Sequence, residues 1–270
     1  MSTPIGNLGD MTYRAVEVLS STALVIAEDT RHSRRLLDHY GIATPLRSYH
    51  EHNEAKETPR LIDRLLAGES IALISDAGTP LVSDPGARLV AAALAAGIKV
   101  TPIPGASAVM AALVGAGLPL DRFAFFGFLP RKGKERKEAI AEITGSAVTA
   151  VIYEAPGRVA DTLQDLANAG AGDRRAVVAR ELTKRFEEFR RGSVAELGDL
   201  YRKADPKGEV VILLAGGGAD RPQVTEGEMT AAASTLRAAG NSAREVMEYL
   251  ISELRAPRNV AYRIAHQKES

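Results

Sequence analysis

Ile71-Ala72-Leu73-Ile74-Ser75-Asp76-Ala77-Gly78-Thr79-Pro80 sets an apolar run directly against a loop of small residues, glycine and proline. Ile71–Ser75 reads as a strand, and the residues after it as the tight connection that follows a strand in an α/β domain. Leu81-Val82-Ser83-Asp84-Pro85-Gly86 then leads into a helix closing near Gly97. Pro85 suits its first turn, where a missing N–H loses no hydrogen bond.

The same alternation extends in both directions. Apolar runs at Ala23–Ala27, Lys99–Ile103, Phe123–Phe128, Val148–Tyr153, Ala176–Ala179 and Val210–Ala215 alternate with helical patterns, which predicts an α/β protein with a largely parallel sheet. Met11–Leu19 follows Asp10 as N-cap, and Thr30 can cap a helix that Gly41 ends. Composition shifts at Gly117–Asp121, from a small-residue helix to an aromatic run, and again at the polar, glycine-rich Gly216–Gln223. The expected organisation is an α/β domain over 1–118, a second α/β domain over 119–218 and a helical module over 219–270. Within that module Ala243, Val246, Met247, Leu250, Ile251 and Leu254 recur at helix spacing, and Pro257 opens one more helix.

The first residues, Ser2-Thr3-Pro4-Ile5-Gly6-Asn7, have loop chemistry that belongs after a strand rather than at the opening of a domain. The expectation is a first strand encoded upstream of Met1.

Lys and Arg number 34 and Asp and Glu 34, so no global field draws a polyanion, and one must be met by a local patch. The absence of cysteine excludes disulfides, thiolate nucleophiles and cysteine-ligated zinc or iron–sulfur sites, and fits a reducing cytoplasm. Met1–Asp10 has no signal-peptide core and no apolar run reaches bilayer-spanning length, so a soluble, cytoplasmic protein without a membrane partner is expected.

Candidate ligand loops are Thr3–Asn7, Ser75–Pro80, Pro104–Ser107 and Gly127–Pro130, each at a strand end or helix start, where open α/β sheets form their crevice. Glycine lets backbone approach a ligand, and helix N-termini offer free N–H groups. Neither G-x-G-x-x-G after a first strand nor G-x-x-x-x-G-K-[ST] occurs, and Gly216-Gly217-Gly218 reads as a linker. The densest charge, Arg131-Lys132-Gly133-Lys134-Glu135-Arg136-Lys137, is either a basic lip for phosphates or the solvated start of a helix through Ile140 and Ile143. Arg244, Arg255, Arg258 and Arg263 with Tyr262 extend that surface or simply decorate a packing module.

The strings Ser2–Asp10, Glu28-Asp29-Thr30-Arg31 and Ser75–Gly86 closely resemble one branch of the tetrapyrrole methylase superfamily, the bacterial ribose 2′-O-methyltransferases of small-subunit ribosomal RNA. Pro104–Ala108, Gly127–Pro130, Tyr153-Glu154-Ala155-Pro156 and Ala179–Lys184 continue the resemblance over nearly the whole chain. It departs at Gly157, where the family usually carries histidine, and at the first strand.

The resemblance implies two α/β domains with S-adenosylmethionine in the cleft between them, S-adenosylhomocysteine as product, no metal, and a homodimer. It assigns the donor to Pro4, Gly6, Asp76, Ala77, Gly78, Thr79, Pro80, Gly105, Ala106, Ser107, Phe128 and Leu129, with Ala215 as a further contact. The implied reaction is attack of a cytidine 2′-oxygen, in the decoding region of 16S RNA, on the donor methyl. A base would assist it, the candidates being Glu28, Asp29 beside Arg31, His50 and Glu154. Asp29 and Arg31 are favoured, although Glu28–Arg31 also reads as a helix cap with a charged first turn. Glu154 and Arg180-Glu181 end strands and fit a cleft position or an internal ion pair equally. His50 and His52 share one face of a predicted strand but lack a third ligand. Arg131, Lys132, Lys134, Arg136 and Lys137 are the expected RNA contacts. Two alternatives stand beside this reading: methylation of a tetrapyrrole or other small molecule on the same fold, and a non-catalytic RNA-binding assembly factor.

Overall fold

The computed structural model describes residues 1–217, 226–254, 256 and 258–266, so Arg255, Pro257 and positions 218–223 of the expected linker lie outside the described residues. The chain divides into two compact units, Met1–Ala219 and Asp220–Ser270.

The first unit opens with α1 (Tyr13–Ser21), β1 (Leu24–Ala27), α2 (Thr30–His39), β2 (Leu46–Ser48), α3 (Glu54–Leu66), β3 (Ile71–Leu73), α4 (Ala87–Ala95) and α5 (Ala108–Ala116). Its strands form a parallel sheet in the order β2-β1-β3. β1 is buried at all four positions, as an apolar run covered on both faces must be. Thr12, not Asp10, caps α1, its side chain accepting from Ala15 N–H, and Asp29 rather than Thr30 caps α2. The run Lys99–Ile103 forms no strand: its backbone meets Ser2 N–H at the Ile103 carbonyl, 3.1 Å away, and no ladder among the described residues.

The same unit continues with β4 (Phe123–Phe128), α6 (Gly133–Gly145), β5 (Thr149–Glu154), α7 (Val159–Leu166), β6 (Arg175–Arg180), β7 (Glu188–Ser193), α8 (Val194–Lys203) and β8 (Val210–Leu214). These strands make a sheet ordered β4-β5-β8-β6-β7. Only β4 and β5 pair in parallel; β8 runs antiparallel to both neighbours, and β6 and β7 form an antiparallel pair. The expected largely parallel sheet therefore describes the first sheet and not the second. Apolar residues from α6, α7 and α8 cover one face of it around Ile152, Val178 and Ile212. On its other face α5 packs with Val151, Val177 and Leu213, and Ile5 of the first loop joins that cluster.

The second unit holds α9 (Glu226–Ala238), α10 (Ala243–Ser252) and α11 (Arg258–His266), whose shared core includes Met229, Ala233, Val246, Leu250 and Ile264. Ser242 and Glu245 form a reciprocal capping box that fixes the start of α10. No described helix is long and apolar enough to cross a membrane.

Candidate active site

Three of the expected ligand loops are tied together at the carboxyl end of the first sheet. Thr3 and Gly78 exchange backbone hydrogen bonds of 2.9 and 3.0 Å, and Thr3 Oγ1 donates to the Ser75 carbonyl. Ser2 Oγ and Thr79 Oγ1 lie 2.9 Å apart, and Thr79 Oγ1 donates in turn to the Ala106 carbonyl. Gly78 and Gly105 are packed from behind: a methyl on Gly105 would sit 3.0 Å from Ser2 Cβ, and one on Gly78, at φ 78°, would sit 3.3 Å from Ile5. The backbone N–H groups of Ala77, Thr79, Ala106 and Ser107 donate to no acceptor among the described residues. Such amides on glycine loops suit the hydrogen-bond acceptors on the polar edge of a ligand, a carboxylate among them. Gly6 contributes differently, since the Lys184 side chain lies across it and leaves no room for a methyl.

Glu28 and Asp29 follow β1, and Asp76 lies just beyond β3, at the same end of the sheet. Asp76 Oδ1 accepts from Asp29 N–H at 3.0 Å, which locks the two loops together. Asp29 itself accepts from Arg31 N–H and pairs with the Arg31 guanidinium at 3.0 Å. The Arg31 side chain, then its N–H, hold the Asp29 carboxyl down to about 2, so this carboxylate is a poor proton acceptor at neutral pH. The cap-and-first-turn description of Glu28–Arg31 is the one the contacts support.

His50 and His52 do not share a strand face. β2 ends at Ser48 because Asn53 folds back, its Oδ1 accepting from His50 N–H at 2.9 Å and its Nδ2 donating to the Ser48 carbonyl at 3.1 Å. The two rings meet edge to face with centroids 5.9 Å apart, and His50 Nδ1 is buried without a partner among the described residues.

Glu154, at the end of β5, is fully engaged inward. It accepts from Thr162 Oγ1 at 2.6 Å and from Ala155 N–H at 2.9 Å, and pairs with Arg158 Nε at 3.3 Å. Arg158 also donates to the carbonyls of Leu129 and Pro130, while Arg136 donates to Pro130, to Thr162 and to Asp165. The buried network thus clamps the Gly127–Pro130 loop. Leu129 points into the core, and Phe128 stays exposed with its ring 5.4 Å from Tyr153.

A family model described as Tetrapyrrole (Corrin/Porphyrin) Methylases matches residues 2–198. The chain belongs to the tetrapyrrole methylase family. Within it, a Pseudomonas aeruginosa protein named Ribosomal RNA small subunit methyltransferase I is 49% identical over 256 residues, covering 94% of this chain and 86% of the relative. A Synechocystis protein of the same name is 44% identical over 271 residues, covering 100% and 97%. Among solved structures, diphthine synthase shares the fold with a TM-score of 0.60 at 17% identity, over 80% of this chain and 89% of that one. Uroporphyrin-III C-methyl transferase from Thermus thermophilus, solved with S-adenyl homocysteine, aligns with a TM-score of 0.53 at 18% identity, over 78% and 93%.

Within this tetrapyrrole methylase fold Ala215 follows β8, which runs antiparallel to β5, so Leu214 pairs with Ala150 while Val210 pairs with Glu154. It lies in the buried cluster that also holds Ile5 and packs against Ala106, both of the expected donor loops. Arg136 is buried rather than facing RNA, because it shares the inward stripe of α6 with Ile140 and Ile143. Arg131, Lys132, Lys134 and Lys137 remain exposed. Beside them a groove of about 340 Å³ is lined by Arg131, Arg136, Arg158, Asp161, Gln164 and Asp165.

Sequence reasoning passed over Asp84. It stands half-buried between β3 and α4, in a loop where Leu81 and Ser83 hold φ of 70° and 66°. Burial first, then the negative charges of Glu28 and Asp76, raise its carboxyl to about 6. Tyr153, from the second sheet, has its hydroxyl pKa raised by burial and then by Asp84.

Proposed function

We propose that this chain is an S-adenosylmethionine-dependent methyltransferase that acts on small-subunit ribosomal RNA, with a cytidine ribose 2′-hydroxyl of the decoding region as acceptor. The observation that carries the reading is the near full-length similarity to proteins named for small-subunit RNA methylation, joined to a knot of glycine loops with unclaimed amides. S-adenosylmethionine supplies an electrophilic methyl carbon on a sulfonium. Its donor set in this chain is the loop trio Pro4–Gly6, Asp76–Pro80 and Gly105–Ser107, closed by Phe128 with Leu129 behind it. The carboxylates of Glu28, Asp76 and Asp84 favour positive charge nearby. Arg131, Lys132, Lys134 and Lys137 supply the RNA-facing charge beside this loop, and the groove at Arg131 and Arg158 fits a backbone phosphate.

We place the enzyme in the cytoplasm and as a homodimer. α5 supports the second point: it is apolar on every side, and Met110 and Val114, one turn apart, are 54% and 74% exposed. A helix of that kind is a buried element, which a second copy of the chain provides. Sedimentation velocity with Val114→Glu is expected to shift the protein to monomer.

The deciding experiment incubates small ribosomal subunits lacking the mark with the protein and methyl-labelled donor, then identifies the product nucleoside by mass spectrometry. A labelled 2′-O-methylcytidine is expected. No transfer while calorimetry shows the donor bound would count against an RNA acceptor and favour the small-molecule alternative; no donor binding would favour the assembly-factor alternative. Replacing Arg131 and Lys132 with alanine is expected to weaken RNA binding and flatten its salt dependence, by roughly 0.7–0.9 in log–log slope per lost phosphate contact.

A further inference from the structure

The carboxylates first considered as bases are committed elsewhere or open to water. Asp29 is held by Arg31, Glu154 by Arg158 and Thr162, and Glu28 is exposed. Asp84 differs in each respect. It makes no hydrogen bond or ion pair with the described residues, and its backbone is set by two non-glycine residues in the left-handed region. Such conformations persist where the surrounding fold over-determines them, and they cluster at working sites. The loop bearing Asp84 meets the second sheet's loop directly, since a methyl on Gly127 would lie 3.2 Å from Ser83 Oγ. Asp84 therefore occupies the seam between the Ser75–Pro80 loop and the β4 and β5 ends.

We infer that Asp84 is the proton acceptor for the hydroxyl that receives the methyl group. This rests on the methyltransferase reading above. The hydroxyl oxygen forms the new C–O bond, its proton passes to a carboxylate oxygen of Asp84, and the C–S electron pair remains on sulfur in a neutral thioether. The titratable groups facing Asp84 are Glu28 after β1, Asp76 after β3 and the Tyr153 hydroxyl from β5. With its carboxyl near 6, Asp84 is ionised at pH 7 yet more basic than an ordinary aspartate, as a general base requires.

A raised folded pKa means that the native chain binds more protons than the unfolded chain between the ordinary 3.8 and about 6. Ionisation of Asp84 therefore weakens the fold as pH rises through that window, and the penalty stands in full above it. Asp84→Asn is expected to raise Tm at pH 8, with little change at pH 4. It is expected to lower kcat by roughly 10²–10⁴-fold and to abolish the acidic limb near pH 6. Asp84→Glu, which keeps the carboxylate, is expected to recover part of the rate.

Calorimetry supplies a readout independent of turnover. In the wild type, preference for S-adenosylmethionine over S-adenosylhomocysteine should grow as pH passes through about 6, because only the former carries the sulfonium charge; in Asp84→Asn it should not. If Asp84→Asn transfers methyl within threefold of wild type with its acidic limb intact, the inference is overturned. If the wild type itself transfers no methyl to RNA, the functional reading fails, and this inference with it.

Discussion

Arg158→Ala is expected to cost the fold roughly 3–5 kcal/mol, the magnitude typical of stranding one member of a buried ion pair. The side chain of Glu154 is fully buried, and Arg158 is its only charged partner among the described residues, at 3.3 Å. Alanine removes that charge, frees the carbonyl of Leu129 and leaves Pro130 with one donor fewer. Urea unfolding should show a lower midpoint at unchanged m-value. Donor affinity should fall too, because the loop bearing Phe128 loses an anchor, while Arg136 still holds Pro130. The double variant Glu154→Gln with Arg158→Ala removes both charges and should recover much of the stability. A midpoint for Arg158→Ala within experimental error of wild type would show that the pair is not an essential clamp.

Gly216→Ala is expected to destabilise the protein by about 1–3 kcal/mol or more, as overpacking does where nothing can move aside. A methyl there would fall 2.5 Å from the Ala147 carbonyl carbon and 2.8 Å from Val148 N, against backbone rather than a flexible side chain. Gly217 N–H bonds to the Ser146 carbonyl at 2.8 Å, so the end of β8 is pressed onto the entry to β5. The glycine run that reads as a linker is a close packing contact at its first member. Gly157→Ala is the matched control, with open space around the new methyl, and should be neutral or stabilising by up to about 1 kcal/mol. Thermal melts of the two variants side by side test the contrast; equal melting temperatures would refute it.

Much of this was legible in the chain itself. β1, β3, β4, β5, β6 and β8 stand out as short apolar runs, and the glycine loops mark the strand ends where a crevice forms. Strand direction is not legible: Val210–Leu214 has the same apolar character whether it runs with its neighbours or against them, so the antiparallel course of β8 appears only in the fold. β7 hides because Glu188, Arg190 and Arg191 make it polar, as an edge strand is. Arg136 is readable in principle, since its spacing to Ile140 and Ile143 is that of one helix face, but it stands among five other charged residues in Arg131–Lys137 that point to a solvated surface. Asp84 was beyond reach. Its distinction comes from Glu28 and Asp76, which lie far away in sequence and are brought together only by the fold.

α5 is a rod fastened at its tail. Nine residues long, it extends for about 13 Å at the usual helical rise. Phe189 of β7 fills the space that Gly115 leaves open, and Arg191 of the same strand donates to the carbonyls of Gly115 and Ala116. At its head stands Ser107, the cap residue of a proposed donor loop. The far hairpin is thus a fulcrum: on the proposed reading, trimming Phe189 would tilt the rod and shift the loop at its other end, adjusting the grip on a methyl donor from outside the cleft.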